Sequence, residues 1–322
     1  MPQTVRKAQS SLDGKSTSPY DTVVAKRALL IYNPAARKAP RAERLREAAA
    51  AVPGWQVSLE PTGAAGHATE LAREAAAAGL DAVVACGGDG TVNEVANGLA
   101  GSSSALAVVR GGTANVWAKE VRVPKDPRKA LRLLAEGETR AIDLGRADGR
   151  YYILMAGIGF DAHVVRGIGG AAKRRFGAAA YVTSGLRAAF TYKAVEAELT
   201  VDAAPRRSDL YWLLVSNTRN YGGAIDITRW AQADDGELDV LLVRKGGFLR
   251  FIWFWLFVAL RRQRSSANIA YEKARSVEVS TPGLPVQIDG EDLGDTPMRF
   301  EVAPGALRVI VPRGLKSPLF HG

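Results

Sequence analysis

The amino-acid sequence predicts α/β plus all-β architecture: an N-terminal Rossmann-like, doubly wound α/β domain followed by a C-terminal antiparallel β-sandwich. Up to residue 145, strand-like and helix-like segments alternate, which is typical of a parallel sheet covered by helices. After residue 145, short apolar runs separated by turn residues replace that alternation, which is typical of antiparallel strands. With 322 residues, 47% of them hydrophobic, the chain is long enough to form two cores.

The first half is predicted from the positions of its apolar residues. Apolar runs bounded by turn residues indicate buried strands, and apolar residues at helical spacing indicate amphipathic helices. Strands are predicted at residues 28–32, 56–60, 81–86, 105–109 and 140–144, and helices at 41–51, 67–78, 92–99, a short stretch from 114, and 127–136. Because ligands bind beyond the carboxyl ends of the strands in such a sheet, we expect a site there. We assign residues 26–145 to this domain and expect residues 313–322 to return to it.

The second half is predicted from apolar runs that alternate with turn dipeptides such as Asp148-Gly149, Pro282-Gly283 and Pro304-Gly305. Strands are predicted at residues 151–156, 210–216, 238–243, 276–280, 286–288, 298–302 and 307–311. We assign residues 146–312 to a β-sandwich with one or two helical insertions. We expect the functional site in the cleft between the two domains.

Composition limits the class of protein. The net charge is +10 and the isoelectric point about 9.8, which favours an anionic partner: nucleic acid, an anionic bilayer or a phosphorylated small molecule. No nucleic-acid-binding module is recognisable, so no nucleic-acid partner is expected. The single cysteine, Cys86, excludes an intramolecular disulfide and fits a reducing cytoplasm. Residues 1–25 lack the apolar core of a secretory signal and are expected to be a disordered tail.

A glycine-rich junction organises the first half. A β-branched strand ends at Gly87-Gly88-Asp89-Gly90-Thr91, and an apolar pattern of helical period follows from Val92. Glycines at such a junction allow a turn with positive φ and leave amide N–H groups uncovered near the positive end of a helix, where a phosphate binds well. A glycine-rich turn without a ligand is the alternative. Neither the P-loop nor the complete dinucleotide fingerprint is present.

Three motifs, in order along the chain, resemble the diacylglycerol kinase catalytic family. They are Asn33-Pro34 after the first strand, G-G-D-G-T-V-N-E at residues 87–94, and G-G-T-A-N at residues 111–115. That family includes bacterial lipid kinases, sphingosine kinases and ceramide kinases, and NAD kinases share a related loop. The resemblance covers roughly residues 28–312. It implies the same two-domain layout, a nucleotide-binding first domain, ATP as co-substrate and Mg²⁺ as cofactor.

Phosphoryl transfer from ATP requires a cradle for the phosphates, a divalent cation and a group that accepts the proton of the attacking hydroxyl. The resemblance implies that the phosphates lie on residues 87–93. Thr62 lies in a glycine-rich turn that resembles the threonine segment of the family, although an ordinary turn before a capped helix explains it better on its own. The residues expected to contact the nucleotide are Asn33, Thr62, Gly87, Gly88, Asp89, Gly90, Thr91, Asn93, Glu94 and Thr113.

Two carboxylates are predicted to carry the chemistry. The sequence alone allows Asp89 to be a helix cap, whereas the resemblance favours a place near the catalytic magnesium. Glu291 follows Asp289-Gly290, which on sequence alone predicts only a hairpin turn. The family carries Asp-Gly-Glu at this place, and the resemblance implies that Glu291 is the general base that receives the proton of the lipid hydroxyl.

A second magnesium site is implied at the acidic turn of residues 233–240. This turn resembles the D-G-x-L-D segment in which some bacterial members of the family hold a structural magnesium. The resemblance implies Asp235 as the side-chain ligand, with carbonyl oxygens of Gln232 and Glu237. An acidic turn at the start of a strand is the alternative. The three histidines do not have the spacing of a zinc site.

Two positions depart from the family. The first loop lacks the usual glycine after Asn33-Pro34 and carries Arg37 and Lys38, which are expected to reach phosphates as charges. Val116 occupies the position at which many diacylglycerol kinases have an aspartate of the magnesium and water network. The second departure weakens the assignment to diacylglycerol itself more than the assignment to ATP-dependent lipid phosphorylation.

The most apolar stretch, residues 247–260, is rich in aromatic residues and is followed by a basic run at 261–264. It is too short to span a bilayer, which takes about twenty apolar residues. Aromatic rings followed by arginines suit a helix in the membrane interface, with Lys173, Arg174 and Arg175 as a second basic cluster. A buried helix that covers the sandwich, with solvated basic faces, is the alternative.

We therefore predict an ATP-dependent lipid kinase that is cytoplasmic and peripherally associated with the membrane. Its expected partners are ATP and a membrane lipid with a free hydroxyl, diacylglycerol-like or sphingoid-type, and homodimerisation is left open. One alternative is an NAD-kinase-like enzyme that acts on a soluble nucleotide. The other is a catalytically inactive lipid-binding or regulatory protein, which the changed Asn33 loop and Val116 keep open.

Overall fold

The computed structural model describes residues 25–167, 178–223, 225–260 and 265–321. Three predictions concern residues outside these ranges: the N-terminal tail up to residue 24, the basic cluster at 173–175 and the basic run at 261–264. Within the described ranges, the chain folds into an α/β half and an antiparallel β half, which confirms the predicted fold class. None of the described helices is long and apolar enough to cross a membrane.

The first half is built on four parallel strands. They are β1 (Lys26–Tyr32), β2 (Trp55–Pro61), β3 (Ala82–Gly87) and β4 (Ala105–Arg110), and they alternate with α1 (Ala42–Ala50), α2 (His67–Ala77), α3 (Asp89–Leu99), α4 (Val116–Glu120) and α5 (Pro127–Glu136). The strand order is β2-β1-β3-β4. Every residue of β3 is buried, as expected for a strand covered on both faces. Among the helices, α2 packs against α3 and α1 packs against α5.

The second half consists mainly of antiparallel strands. They are β5 (Glu138–Ala147), β6 (Arg150–Tyr152), β7 (Met155–Gly159), β8 (Val195–Val201), β9 (Ala204–Leu210), β10 (Trp212–Ser216), β11 (Asn220–Tyr221), β12 (Ile225–Asp226), β13 (Leu238–Val243), β14 (Ile269–Ala274), β15 (Ser276–Val279), β16 (Pro285–Ile288), β17 (Glu291–Asp295) and β18 (Met298–Val311). The helices are α6 (Phe160–Gly167), α7 (Ala178–Thr191) and α8 (Phe248–Ala259).

Strand β18 joins the two halves. Its end pairs in parallel with β4, and its beginning pairs antiparallel with β15. The prediction that residues 140–144 extend the parallel sheet is wrong, because β18 takes the place beside β4 and β5 pairs antiparallel with β18. The predicted domain boundary between residues 145 and 146 stays a prediction, and β5 runs across it.

A second hydrophobic core fills the space between two layers of strands. One layer is the extension of the first sheet through β18, β15, β8 and β9, and the other is a separate sheet in the order β14-β13-β10-β7-β16-β17. Tyr152 and Phe300 from the first layer share one core with Leu213 and Val286 from the second, and all four are buried. These strands therefore form the predicted sandwich.

The sequence does not predict β8, β9, β14 or β17, nor the two-residue strands β11 and β12. Three of these, β9, β14 and β17, lie at the edges of their sheets, and β9 and β17 are mostly exposed, so they lack the apolar runs that mark buried strands. The predicted strand at 151–156 is divided into β6 and β7, because the amides of Ile153 and Leu154 turn toward the carboxylate of Asp289.

The residues after β18 pack against the first half and β5. The amide of Gly314 donates to Glu138 Oε2 at 3.1 Å, and the ring of Phe320 lies 4.8 Å from the guanidinium of Arg140. Leu319 and Phe320 are buried in the larger core. The end of the described chain is therefore a packed part of the fold.

Candidate functional site

The glycine-rich junction leads from β3 into α3 with Gly88 as the only residue between them. The helix begins at Asp89, so the prediction that it begins at Val92 is wrong. The prediction of positive φ is also wrong, since Gly88 has a φ of −85° and Gly87 and Gly90 do not have positive φ either. Close packing explains the glycines instead: a Cβ at Gly87 would collide with the side chain of Thr91.

The three loops that carry the sequence motifs meet at the carboxyl edge of the parallel sheet. The amide of Asn33 donates to the carbonyl of Cys86 at 2.9 Å, and the amide of Gly111 donates to the carbonyl of Gly87 at 2.9 Å. The amide of Lys38 donates to the carbonyl of Gly111 at 3.0 Å. Backbone hydrogen bonds thus fix these loops to one another.

Asp89 links two of these loops. Its Oδ1 accepts a hydrogen bond of 2.6 Å from the amide of Val116, the first residue of α4. Gly88, the N-cap residue of α3, provides no side-chain cap. Burial raises the pKa of Asp89, while hydrogen bonds from Val116 and Asn115 and the charge of Lys119 lower it. Val116 is the position at which many members of the family have an aspartate. Here its side chain is buried and its backbone amide faces Asp89.

Asp289 joins the β half to α3. The side chain of Asn93 donates to Asp289 Oδ2 at 2.7 Å. The same carboxylate accepts hydrogen bonds from the amides of Ile153, Leu154 and Met155 at 2.9, 2.9 and 3.0 Å. Burial raises the pKa of Asp289 to about 6, and these hydrogen bonds offset part of that rise. A carboxylate that accepts hydrogen bonds from four donors is a rigid connection.

Glu291 lies against the first turn of α3. Asp289 and Gly290, with φ of 47° and 85°, form the two-residue hairpin turn that the sequence predicts, and Glu291 is the next residue. A Cβ built on Gly90 would lie 3.0 Å from Glu291 Oε1. Glu291 Oε2 pairs with the guanidinium of Arg150 at 3.3 Å. The fold therefore brings Glu291 to the junction that carries Asp89.

Two other predicted nucleotide-binding residues use their side chains within the first half. Glu94 Oε2 accepts a hydrogen bond of 3.1 Å from the amide of Ala68 in the first turn of α2. Asn33 Nδ2 lies 3.5 Å from Thr91 Oγ1, and Asn33 Oδ1 accepts from the amide of Ala35 at 2.9 Å. Asn33 and Thr91 are therefore neighbours at the junction, whereas Glu94 caps a neighbouring helix.

The other residues predicted to contact the nucleotide or its phosphates lie in the loops after β1, β2 and β4. The amide of Thr62 donates to the carbonyl of Tyr32 at 2.9 Å, which keeps Thr62 at the carboxyl end of β1. Thr113 lies in the loop after β4 and is exposed. Arg37 and Lys38 are exposed in the loop after β1.

At the predicted structural magnesium site, the ammonium group of Lys273 binds the carboxylate of Asp235. Asp235 Oδ2 forms an ion pair with Lys273, and Asp235 Oδ1 accepts the amide of Glu237 at 3.1 Å. In this arrangement both oxygens of Asp235 are engaged. Among the residues that the structure describes, no group of three or more His, Cys, Asp or Glu side chains is arranged to hold a metal ion.

Sequence reasoning missed two buried residues behind the Asp-Gly-Glu turn, Asp161 and Gln287, and it also missed the structural link that Asp289 makes to α3. Gln287 Nε2 donates to Asp161 Oδ2 at 2.6 Å, and Gln287 Oε1 accepts the amide of Gly290 at 2.7 Å. A signal was present, because Gln287 interrupts the apolar run Val286-Gln287-Ile288, and a polar residue buried there requires a partner.

Two family models match the chain. The model described as "Diacylglycerol kinase catalytic domain" matches residues 27–147, and the model described as "YegS C-terminal NAD kinase beta sandwich-like domain" matches residues 155–311. Together they cover all three motif-bearing loops of the first half and the Asp-Gly-Glu turn of the second.

Similar proteins agree with these matches. A protein of Pseudomonas syringae pv. syringae named "Probable lipid kinase YegS-like" is 36% identical over 278 residues, which cover 84% of this chain and 88% of the relative. The "Diacylglycerol kinase" of Bacillus subtilis is 30% identical over 296 residues, which cover 89% of this chain and 97% of the relative. A solved structure of a diacylglycerol kinase from Bacillus anthracis str. Sterne matches with a TM-score of 0.69 and 23% identity over 91% of this chain and 98% of the other, which shows the shared fold.

Proposed function

This chain belongs to the diacylglycerol kinase catalytic family, and from that premise we propose that it is an ATP-dependent lipid kinase that phosphorylates the hydroxyl of a membrane lipid. One observation carries the proposal: Glu291 Oε1 lies 3.0 Å from the position of a Cβ on Gly90. A carboxylate from the β half is thus placed beside the loop that would hold the phosphates. Phosphoryl transfer requires this pairing of a cradle and a proton acceptor.

The phosphates of ATP are assigned to the start of α3. The first amide N–H groups of a helix have no partner within the helix, and the helix dipole favours negative charge there. Gly88 adds no side chain that would compete for these amides. Asn33 Nδ2 lies 3.5 Å from Thr91 Oγ1 in the first turn of the helix, Thr62 and Thr113 lie in loops at the same edge of the sheet, and Arg37 and Lys38 contribute positive charge.

Glu291 is assigned the role of general base. The lipid oxygen forms a bond to the γ-phosphorus, the bond between that phosphorus and the bridging oxygen breaks, and ADP leaves. The hydroxyl proton passes to the Glu291 carboxylate. Arg150 lies 3.3 Å from the other carboxylate oxygen and forms an exposed ion pair with it.

Magnesium, when bound with ATP, would neutralise phosphate charge. Asp89 is the residue that would hold it, directly or through water, because this partly exposed residue brings a carboxylate to the start of α3. The turn of Asp235 fits a cation less well, since its oxygens already bind Lys273 and the amide of Glu237. Magnesium held there by Asp235 and the carbonyls of Gln232 and Glu237 requires Lys273 to move away.

The lipid is proposed to enter from a membrane contacted by α7 and α8. These helices expose Phe190, Leu249 and Trp253, with exposed fractions of 68%, 73% and 58%. The rings of Phe190 and Phe248 stack at 4.2 Å, which joins the two helices into one apolar surface. Residues 178–193 and 244–260 contain basic residues and no acidic residue. An apolar surface with a basic rim suits an anionic bilayer.

The proposal is tested by incubating the protein with magnesium and γ-labelled ATP against lipid classes in mixed micelles, and in parallel against NAD. Label in one lipid class is expected, and Glu291→Gln is expected to reduce it about 100-fold, since general-base catalysis contributes on the order of 10²–10⁴. Glu43→Gln, an exposed glutamate on α1, is the matched control and is expected to keep full activity.

The other outcomes assign the protein differently. Label on NAD alone would replace the lipid kinase with a kinase of a soluble nucleotide. Lipid binding without label on any acceptor would favour a lipid-binding protein without turnover.

A further inference from the structure

The Asp289-Gly290 turn is held from behind by the side chain of Gln287. This residue is 3% exposed and lies in β16, on the strand that leads into the turn. Its Oε1 accepts the amide of Gly290 at 2.7 Å. In a two-residue hairpin turn, the amide of the second turn residue is not part of the strand ladder. Gln287 therefore fixes a backbone group that the strand pairing leaves to other partners.

Asp161 decides which way the Gln287 amide points. The carboxylate of Asp161 is buried near the start of α6 and accepts hydrogen bonds from Gln287 Nε2 at 2.6 Å and from the hydroxyl of Tyr221. A carboxylate accepts and does not donate, so the NH₂ group of Gln287 must face it. The oxygen of Gln287 then faces the amide of Gly290, as the turn requires.

Gly157 makes room for this pair. It lies opposite Gln287 in the register of β7 and β16. A Cβ at Gly157 would lie 2.6 Å from Gln287 Nε2 and would collide with Asp161 Oδ2. The missing side chain at Gly157 therefore leaves the space in which Gln287 and Asp161 meet, inside an otherwise apolar layer.

Glu291 has little else to hold it in place. Its side chain is 47% exposed, and its partner Arg150 is 44% exposed. Exposed ion pairs of this kind stabilise a geometry by only about 0–1 kcal/mol. The position of the Glu291 carboxylate consequently depends on the backbone of the turn from which it extends.

We propose that Gln287, oriented by Asp161, is a positioning residue that holds the Asp289-Gly290 turn so that Glu291 faces the start of α3. The inference rests on the proposed function of Glu291 as the general base. Gln287 and Asp161 would thus control the rate of phosphoryl transfer through the turn, without acting on ATP or lipid directly.

The first test replaces the amide while keeping the length of the side chain, with Gln287→Met. We expect kcat for the lipid to fall about tenfold or more, because a displacement of about 1 Å at a reacting group costs up to roughly 100-fold. The KM for ATP is expected to stay within about twofold. In a Glu291→Gln background the same substitution should lower kcat no further, whereas its effect on Tm should persist.

The second test exchanges the two groups. Gln287→Glu alone places two carboxylates together in a buried space and should lower both kcat and Tm. Asp161→Asn combined with Gln287→Glu restores a complementary pair: the amide introduced at position 161 donates to the carboxylate introduced at 287, which still accepts from Gly290. Tyr221 keeps an acceptor. We expect the double variant to recover kcat to within about threefold of the wild type.

The outcomes distinguish the role of Glu291 as general base from the role of Gln287 as a positioning residue. A Glu291→Gln enzyme with wild-type kcat would overturn the proposed base and, with it, this inference. If Glu291→Gln is defective but Gln287→Met keeps wild-type kcat, the proposed function stands and the positioning role is overturned. Equal fold losses from Gln287→Met in both backgrounds would indicate a merely structural role and would also overturn it.

Discussion

The side-chain amide of Asn93 donates a hydrogen bond of 2.7 Å to the carboxylate of Asp289, across a separation of 196 residues. Asn93 belongs to α3 in the parallel half, and Asp289 belongs to the hairpin turn of the β half. Because Glu291 follows that turn and Asp89 begins that helix, this contact sets how the two carboxylates of the site lie relative to each other. Asn93 is buried and Asp289 is only partly exposed, so water does not compete strongly for the bond.

Asn93→Asp should destabilise the protein in a manner that depends on pH. The substitution places a second carboxylate against Asp289, and an uncompensated buried charge costs about 3–5 kcal/mol. At about 2–4 °C per kcal/mol, Tm at pH 8 is expected to fall by roughly 6–20 °C. Sharing one proton relieves the repulsion, so the loss should shrink as pH falls toward 5.

The matched control is Asn97→Asp, one helical turn further along α3. Asn97 binds Asn93 and the backbone of Tyr151 and has no carboxylate partner among its hydrogen bonds. The carboxylate introduced at position 97 faces no second carboxylate, so the loss of Tm should change less between pH 8 and pH 5 than it does for Asn93→Asp. A loss for Asn93→Asp that is equal at pH 5 and pH 8 would contradict the like-charge explanation.

Asp89→Asn should separate the structural and chemical contributions of this residue. The carbonyl oxygen of asparagine still accepts the amide of Val116, so Tm is expected to stay within about 3 °C of the wild type. The negative charge that would hold magnesium is lost, and kcat should fall by about 100-fold or more. Asp89→Ala, which loses both, is expected to lower Tm as well. Steady-state kinetics and thermal denaturation distinguish these effects, and an active Asp89→Asn enzyme would remove Asp89 from the chemistry.

Gly90→Ala should reduce activity without reducing stability. Alanine is favoured over glycine in helices by about 0.5–1 kcal/mol, so Tm should stay constant or rise slightly. The new methyl group would lie 3.0 Å from Glu291 Oε1 and displace that carboxylate, which we expect to lower kcat about tenfold. Gly98→Ala is the opposite case in the same helix, because its Cβ would lie 2.5 Å from the carbonyl of Thr69 and should lower Tm. An unchanged kcat for Gly90→Ala would show that Glu291 is not needed at that position.

The buried carboxyl of Asp161 should make stability depend on pH. Burial raises its pKa to about 6 in the folded protein, against 3.8 for an ordinary aspartate. The folded state therefore binds the proton more tightly than the unfolded state, and this contribution is present at low pH and lost as pH rises through about 6. The Tm of the wild type minus that of Asp161→Asn should be more positive at pH 5 than at pH 8. A difference that grows with pH would contradict the assignment.

The apolar surface of α7 and α8 should bind anionic vesicles. Trp253→Ala removes a large exposed ring and is expected to weaken binding about tenfold, since burying such a side chain contributes about 1.5–3 kcal/mol. Trp230→Ala, an exposed tryptophan outside both helices, is the control and should bind like the wild type. Sedimentation with vesicles of phosphatidylglycerol and phosphatidylcholine measures both, and equal losses for the two variants would contradict a membrane-facing role for α8.

The local parts of the fold were predictable from the sequence because they depend on neighbouring residues. Apolar periodicity predicts the buried strands β3 and β4, and Asp126-Pro127 marks the start of α5, where Asp126 accepts the amides of Arg128 and Lys129. Asp289-Gly290 predicts a hairpin turn, and the turn is present. Exposed edge strands such as β9 carry no comparable signal.

The candidate site was predictable as a set of motifs but not as a geometry. Gly88 and Gly112 are recognisable as motif glycines, yet their mutual contact, which leaves 2.5 Å between a Cβ on Gly112 and Gly88 Cα, appears only after folding. The link from Asn93 to Asp289 and the support of the turn by Gln287 both join residues from different elements. Sequence spacing contains no information about such partners unless the topology is known.

The position of β18 in the sheet has a consequence for the synthesis of the protein on the ribosome. β4 and β15 each lack one pairing partner until β18 has been made, and β18 is translated after all the strands it joins. Until residues 298–311 have left the exit tunnel, β4 and β15 are open edges that other chains can pair with. The nascent first half therefore presents an unpaired edge at β4, and the sheet that contains β4 is complete only once residues 298–311 have been synthesised.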